Sequence, residues 1–149
     1  MATIDDLVRD LRGFERRKEL LNQLRRDFRA GVPVVRKKIR TRALATLPKT
    51  GGLAKWVSKT RVSADIRFAG RWIGVRLKGS RKSLKEKSDL KRLDAGMVRH
   101  PSWGRRGKGD WHTQPVTAGF FTAEAGNADD WRDACERAVD RAFDTIRRG

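Results

Sequence analysis

A single cysteine, Cys135, in a chain of 149 residues rules out an internal disulfide framework. No long uncharged apolar run occurs, so neither a signal sequence nor a membrane-spanning helix is expected, and the chain reads as soluble and folded in a cytoplasm. Histidine is nearly as scarce, with only His100 and His112. Acidic side chains are few as well: 18 Asp and Glu stand against 36 Lys and Arg, a formal net charge of +18. Hydrophobic residues, at 38%, fall below the roughly 45–50% of an ordinary globular domain, and charged residues, at 36%, exceed the usual quarter or so. The length suits one domain spanning 1–149 and is too short for two independent ones.

What the sequence has in excess is positive charge, and it is unevenly placed. Residues 1–60 carry 16 basic and 6 acidic side chains, residues 61–109 carry 15 and 4, and residues 110–149 carry 5 and 8. A surplus of this size attracts polyanions through long-range fields and counterion release, which points to nucleic acid nearby. The acidic end beside a basic body suits head-to-tail contacts between copies. The plainer reading is an acidic helix that neutralises its own domain.

Thr3 followed by Asp6 has capping-box spacing, and Ile4, Leu7, Val8, Leu11 and Phe14 recur at helical steps. Gly13 weakens this helix, while Leu20, Leu21, Leu24 and Phe28 carry the stripe onward. A second helical piece is predicted from Pro33 to Leu47, ended by Pro48 and the Gly51-Gly52 pair. From Arg61 the period becomes two. Val62, Ala64, Ile66 and Phe68 alternate with polar residues, Ala69-Gly70 forms a connection, and Ile73, Val75 and Leu77 resume the alternation, which predicts a hairpin over 61–78. Residues 79–92 hold six Lys or Arg, two acids and only two leucines, and are expected to form an exposed, mobile basic loop within the one domain. The stretch from Leu93 to Gly109 reads as irregular with one short strand, and 114–121 as an edge strand broken by Pro115 and Gly119. Asn127 is placed to cap a last helix whose stripe is Trp131, Cys135, Ala138, Val139, Ala142 and Ile146. The expected fold is α+β, with N-terminal helices, a small antiparallel sheet built on the 61–78 hairpin and a C-terminal helix packed on that sheet.

Enzyme chemistry has little to work with. His100, His112 and Asp110 form a possible metal trio, but their spacing matches no common zinc site, and backbone hydrogen bonding within turns accounts for both imidazoles. Cys135 sits on an apolar stripe, where a thiol acts as a small hydrophobe. The glycines at 104, 107 and 109 lack the strand and helix that a phosphate-binding loop requires. No catalytic residue, metal or cofactor is therefore expected. The candidates for touching nucleic acid are Arg81, Lys82, Lys85, Lys87, Lys91 and Arg92 in the basic loop, with Arg99, Arg105, Arg106 and Lys108 after it, and Trp103 and Trp111 as possible stacking partners. The plain alternative is a solvated surface, with the tryptophans filling a small local core. No helix carries a base-reading pattern, so any binding is expected to be independent of sequence.

Several short strings, in order, resemble the tail-completion or neck family of long-tailed bacteriophages, whose members include minor tail proteins. They are Ala43-Leu44-Ala45-Thr46-Leu47-Pro48 with Thr50-Gly51-Gly52-Leu53-Ala54, the hairpin 61–78, Leu93-Asp94-Ala95-Gly96 with Arg99-His100-Pro101 and Gly104, Trp111 with Gln114-Pro115-Val116, Gly119-Phe120-Phe121, and a closing helix. The resemblance implies a virion protein, made in the host cytoplasm, that sits as a six-fold homo-oligomeric ring between head-tail stopper and tail terminator, around the channel for double-stranded DNA. On that view the basic residues named above face DNA or a neighbouring ring, and Pro48, Gly51, Gly52, Gly96, Pro101 and Gly119 shape backbone turns. The +18 charge departs from the more even surface of that family. A rival expectation is a free-standing, sequence-independent nucleic-acid-binding protein, although such a binder should concentrate its charge on one face.

Overall fold

The computed structural model describes residues 3–80, 87–101 and 111–148. The fold is α+β, with helices at the N-terminal end, a C-terminal helix and, among the described residues, two antiparallel sheets of two strands each. Packing divides the chain into two compact units, one of Met1–Val35, Val62–Lys78 and Ala128–Gly149, the other of Arg36–Arg61 and Gly79–Asn127.

In the first unit, α1 (Ile4–Asp10) starts on a complete capping box: the Thr3 hydroxyl accepts from the Asp6 amide at 3.2 Å, and the Asp6 carboxylate accepts from the Thr3 amide at 3.1 Å. Those bonds to Thr3 hold the Asp6 carboxyl below its ordinary range. A 3₁₀ turn at Leu11–Gly13 ends the helix, and Phe14 is extended, so the stripe continues only from α2 (Arg17–Ala30). Glycine at 13 weakens helix at this point, and the break lets both segments turn their apolar sides inward. Leu7, Leu11, Leu24 and Phe28 bury against Cys135, Ala138, Val139, Ala142 and Phe143 of α7 (Asp129–Arg148). Fully burying each large apolar side chain contributes roughly 1.5–3 kcal/mol, so this stripe-on-stripe contact holds the unit together. The hairpin of β1 (Arg61–Arg67) and β2 (Gly74–Ser80) adds Ile66, Phe68 and Val75 to the same core.

The last helix departs from expectation at its start. It begins at Asp129, and the amides of Trp131 and Arg132 bond to the Ala128 carbonyl. Asn127 instead closes the preceding short helix, its amide donating to Ala123 O, and Ala128 stands between it and the first residue of α7.

The second unit contains α3 (Val32–Thr46) from Arg36 onward, α4 (Leu53–Ser58), α5 (Lys87–Asp94), β3 (Met97–Pro101), β4 (Trp111–Pro115) and α6 (Thr122–Gly126). Among the described residues its buried ones are Ile39, Ala43, Leu47, Ala54, Val57, Leu93 and Phe120, together with Thr60, whose hydroxyl donates to Val57 O. Gly51 and Gly52 take φ of +74° and +77°, a left-handed pair that reverses the chain between α3 and α4.

Three local expectations change here. The basic stretch 79–92 is not one loop: Gly79 and Ser80 end β2 and Lys87–Asp94 is helical, while 81–86 lie outside the described residues. Leu90 and Leu93, three apart, give α5 an inner side, and Leu93 is buried. The strand expected over 114–121 stops at Pro115 and pairs with β3, so the second pair of strands makes its own sheet. Gly119, at φ +78°, then turns the chain into α6.

Gly31, between α2 and α3, tests the core of the first unit. A Cβ there would lie 2.8 Å from Trp131 Cδ1, and the indole is fixed because its Nε1 donates to Phe28 O at 2.8 Å. Alanine normally favours helix by up to about 1 kcal/mol over glycine, but overpacking costs about 1–3 kcal/mol. Gly31→Ala is therefore expected to lower the urea midpoint at unchanged m-value, and a rise in midpoint would show that the indole moves freely.

Candidate nucleic-acid interface

Of the ten basic candidates, Arg81, Lys82, Lys85, Arg105, Arg106 and Lys108 lie outside the described residues, as does Trp103. Lys87 is the first residue of α5, Lys91 and Arg92 are exposed on its last turn, and Arg99 is exposed in the middle of β3. The structure thus brings Arg92 and Arg99 together. They flank a cavity of about 160 Å³ whose other walls are Leu53, Trp56, Leu93, Met97 and Val98. Met97, at 46% exposure, leaves an apolar spot beside two guanidinium groups.

A tight crossing positions the pair. Gly96 ends α5 with its amide on Leu93 O at 3.0 Å, and takes φ +89°. A Cβ at 96 would meet Val116 O at 3.1 Å, and Val116 N donates to Gly96 O at 2.9 Å. Asp94 completes the knot. Its Oδ1 accepts from the amides of Phe121 and Thr122 at 2.8 and 3.1 Å, and its carbonyl accepts from Gly119 N at 2.8 Å. β3 then runs antiparallel to β4, with Met97 opposite Pro115, Arg99 opposite Thr113 and His100 opposite His112. Pro101 is the last residue of β3, opposite Trp111. Pro48 has its carbonyl bonded by Ala54 N beside the Gly51-Gly52 reversal.

Chemically, the α5–β3 surface offers positive charge and a shallow apolar hollow. Among the described residues no group of three His, Cys, Asp or Glu is placed to hold a metal ion, and no helix is long and apolar enough to cross a membrane. Cys135 lies buried on α7, where desolvation, with Glu136 adding a smaller like-signed push, raises its thiol to about 11.

Sequence reasoning missed Trp56 as a cavity wall, Asp94 as a cap and a pair of arginines stacked on Trp72. Only the last left a readable signal: Arg67 and Arg76 both fall on the polar side of the hairpin alternation. Comparison with protein-family models, curated proteins and solved structures finds no match.

Two measurements test this geometry. Asp94→Ala removes an ionised acceptor from two amides, and bonds to charged groups contribute about 1.5–3 kcal/mol. Stability in urea should fall by that order, with Asp94→Asn falling less because one acceptor oxygen remains. For Cys135, a thiol at about 11 against an ordinary 9.0 holds about 100-fold less thiolate at pH 8. Native protein should react with a thiol-disulfide reagent at least that much more slowly than urea-unfolded protein. Because the folded value is raised, the associated stability is present below the ordinary value and is lost as pH rises toward about 11.

Proposed function

We propose that this chain is a structural protein of the neck of a long-tailed bacteriophage, completing the tail and helping to join it to the DNA-filled head. The observation that carries the reading is the order and spacing of the short strings from Ala43 to the closing helix, which resemble the tail-completion family across most of the chain. Their backbone roles support it: Leu93-Asp94-Ala95-Gly96 and Val116 to Phe121 bond to each other, as a string that encodes a fold requires. In this reading copies form a six-fold ring that meets the stopper and terminator proteins and surrounds double-stranded DNA, and the role is not catalytic. The protein's place is the virion neck, reached by assembly in the host cytoplasm. The acidic start of α7, Asp129, Asp130 and Asp133, is suited to a basic surface on a neighbouring copy.

A second reading, a free-standing sequence-independent nucleic-acid binder, is favoured by one observation, the net charge of +18. The two separate genetically. With an early stop codon in this reading frame of the encoding phage, electron microscopy of lysates should show filled heads apart from tails, or joined particles that have lost DNA. Normal infectious virions would overturn the neck role and leave the nucleic-acid binder.

A further inference from the structure

We infer that the outward face of the β1–β2 hairpin is a contact site for the phosphate backbone of double-stranded DNA, built on Arg67, Arg76 and Trp72. The inference deepens the neck reading by naming the surface that meets DNA, although the chemistry stands on the hairpin alone.

The two-residue period sends Ile66, Phe68 and Val75 to the core and leaves Asp65, Arg67, Arg76 and Lys78 on the other side. Trp72, in the connection, underlies the two arginines: Arg67 Cζ lies 5.0 Å and Arg76 Cζ 4.2 Å from its ring centroid. Their side chains remain 49% and 59% exposed, so the ring orders the guanidinium groups without hiding them. Asp65 sits with both, its Oδ1 3.7 Å from Arg67 Nε and its Oδ2 3.4 Å from Arg76 Nε and Nη2. One carboxylate against two guanidinium groups, with Lys78 on the same face and exposed Arg71 in the turn, leaves a concentrated positive patch.

Three features select phosphate as the occupant. Guanidinium forks match phosphate oxygens in pairs. Stacking on an indole holds two long side chains in place before binding, which lowers the ordering cost. The bonds to Asp65 are long, so a phosphate oxygen can replace them. Trp72 is half-buried under the arginines, so it acts as their platform and does not read bases. Binding is therefore independent of sequence.

The test uses the full chain and a short fluorescent DNA duplex of mixed sequence, with affinity read by anisotropy from about 50 to about 200 mM salt. Arg67→Gln with Arg76→Gln should weaken binding about tenfold or more and reduce the slope of log affinity against log salt by about 1.8, two contacts at roughly 0.9 each. Arg147→Gln with Arg148→Gln removes the same charge elsewhere and should cost less. Asp65→Asn should tighten binding several-fold, and it decides the matter if the double variant loses its circular-dichroism spectrum. A double variant that loses no more than the control overturns the inference, as does an Asp65→Asn protein of unchanged affinity when the double variant is unfolded. Tighter binding of the wild-type face to a peptide of Asp129–Asp144 than to the duplex also overturns it and makes this a contact between copies. Because these readouts are made on isolated protein, their failure leaves the neck reading standing, and joined virions from the stop-codon phage would leave the hairpin site standing.

Discussion

The constraint on which the rest of the structure depends is mutual repulsion among 36 cationic side chains that share only 18 carboxylates. A compact state at +18 concentrates like charge, so carboxylates placed beside arginines have more effect than the same number scattered. Pairing is distributed in this way: Asp6 with Arg9, Glu19 with Arg16, Asp27 with Arg141, Glu124 with Arg42, and Asp129 with Arg132. Most of these are exposed, and such pairs contribute only about 0–1 kcal/mol each. Their work is to relieve repulsion locally, while cohesion comes from apolar burial. In the first unit that burial is concentrated where α1 and α2 meet α7, and Asp27 with Arg141 sits at the edge of this contact at 3.4 Å.

The second unit is held differently. Among the described residues its buried apolar side chains are fewer, and a backbone knot takes over part of the work: Asp94 on the amides of Phe121 and Thr122, Gly96 against Val116, and Gly119 on the Asp94 carbonyl. This bears on what the family-like strings mean. Leu93-Asp94-Ala95-Gly96 and Gly119-Phe120-Phe121 are spelled by packing and turn geometry, with Leu93 and Phe120 buried and the glycines at positive φ. Such strings speak for architecture. The exposed charges between them take no part in the knot, so the packing and turns that spell these strings leave the contacts of the surface unspecified.

The sequence showed most where one physical signal acts alone. The Thr3 and Asp6 cap, the alternation from Val62 to Phe68 and the long stripe of α7 each depend on local spacing, and each matches the structure. It showed least where a tertiary partner decides. A lone capping residue looks the same whether it starts one helix or ends another, so the spacing points Asn127 to α7 although it closes α6. The Lys-rich run hid α5 because charge pattern dominates its composition, and only the burial of Leu93 reveals an inner side. Four strand-like runs suggest a single sheet, but pairing partners are not encoded in alternation, and β3 pairs with β4 in a sheet of its own. For the candidate interface, adjacency of Arg92 to Arg99 follows from the Gly96 turn. The stack on Trp72 needed the hairpin register.

Asp65 gives the hairpin face its character. A surface meant to hold DNA firmly would gain from having no carboxylate within reach of its arginines, since each one competes with phosphate for the same donors. Here a carboxylate stands 3.4 Å from Arg76 and 3.7 Å from Arg67, close enough to compete and too far for a strong bond to either. In the contact proposed for this face, each phosphate that leaves is replaced by Asp65 at little cost, so the arginines do not have to reorganise between one contact and the next. Salt screening over about 8 Å at physiological ionic strength further confines each contact to its nearest phosphate. A face of this kind favours many brief contacts over a few long ones. That is the behaviour required where DNA must move past a protein, and it separates such a surface from one that stores or compacts DNA, in which the competing carboxylate would only weaken the hold.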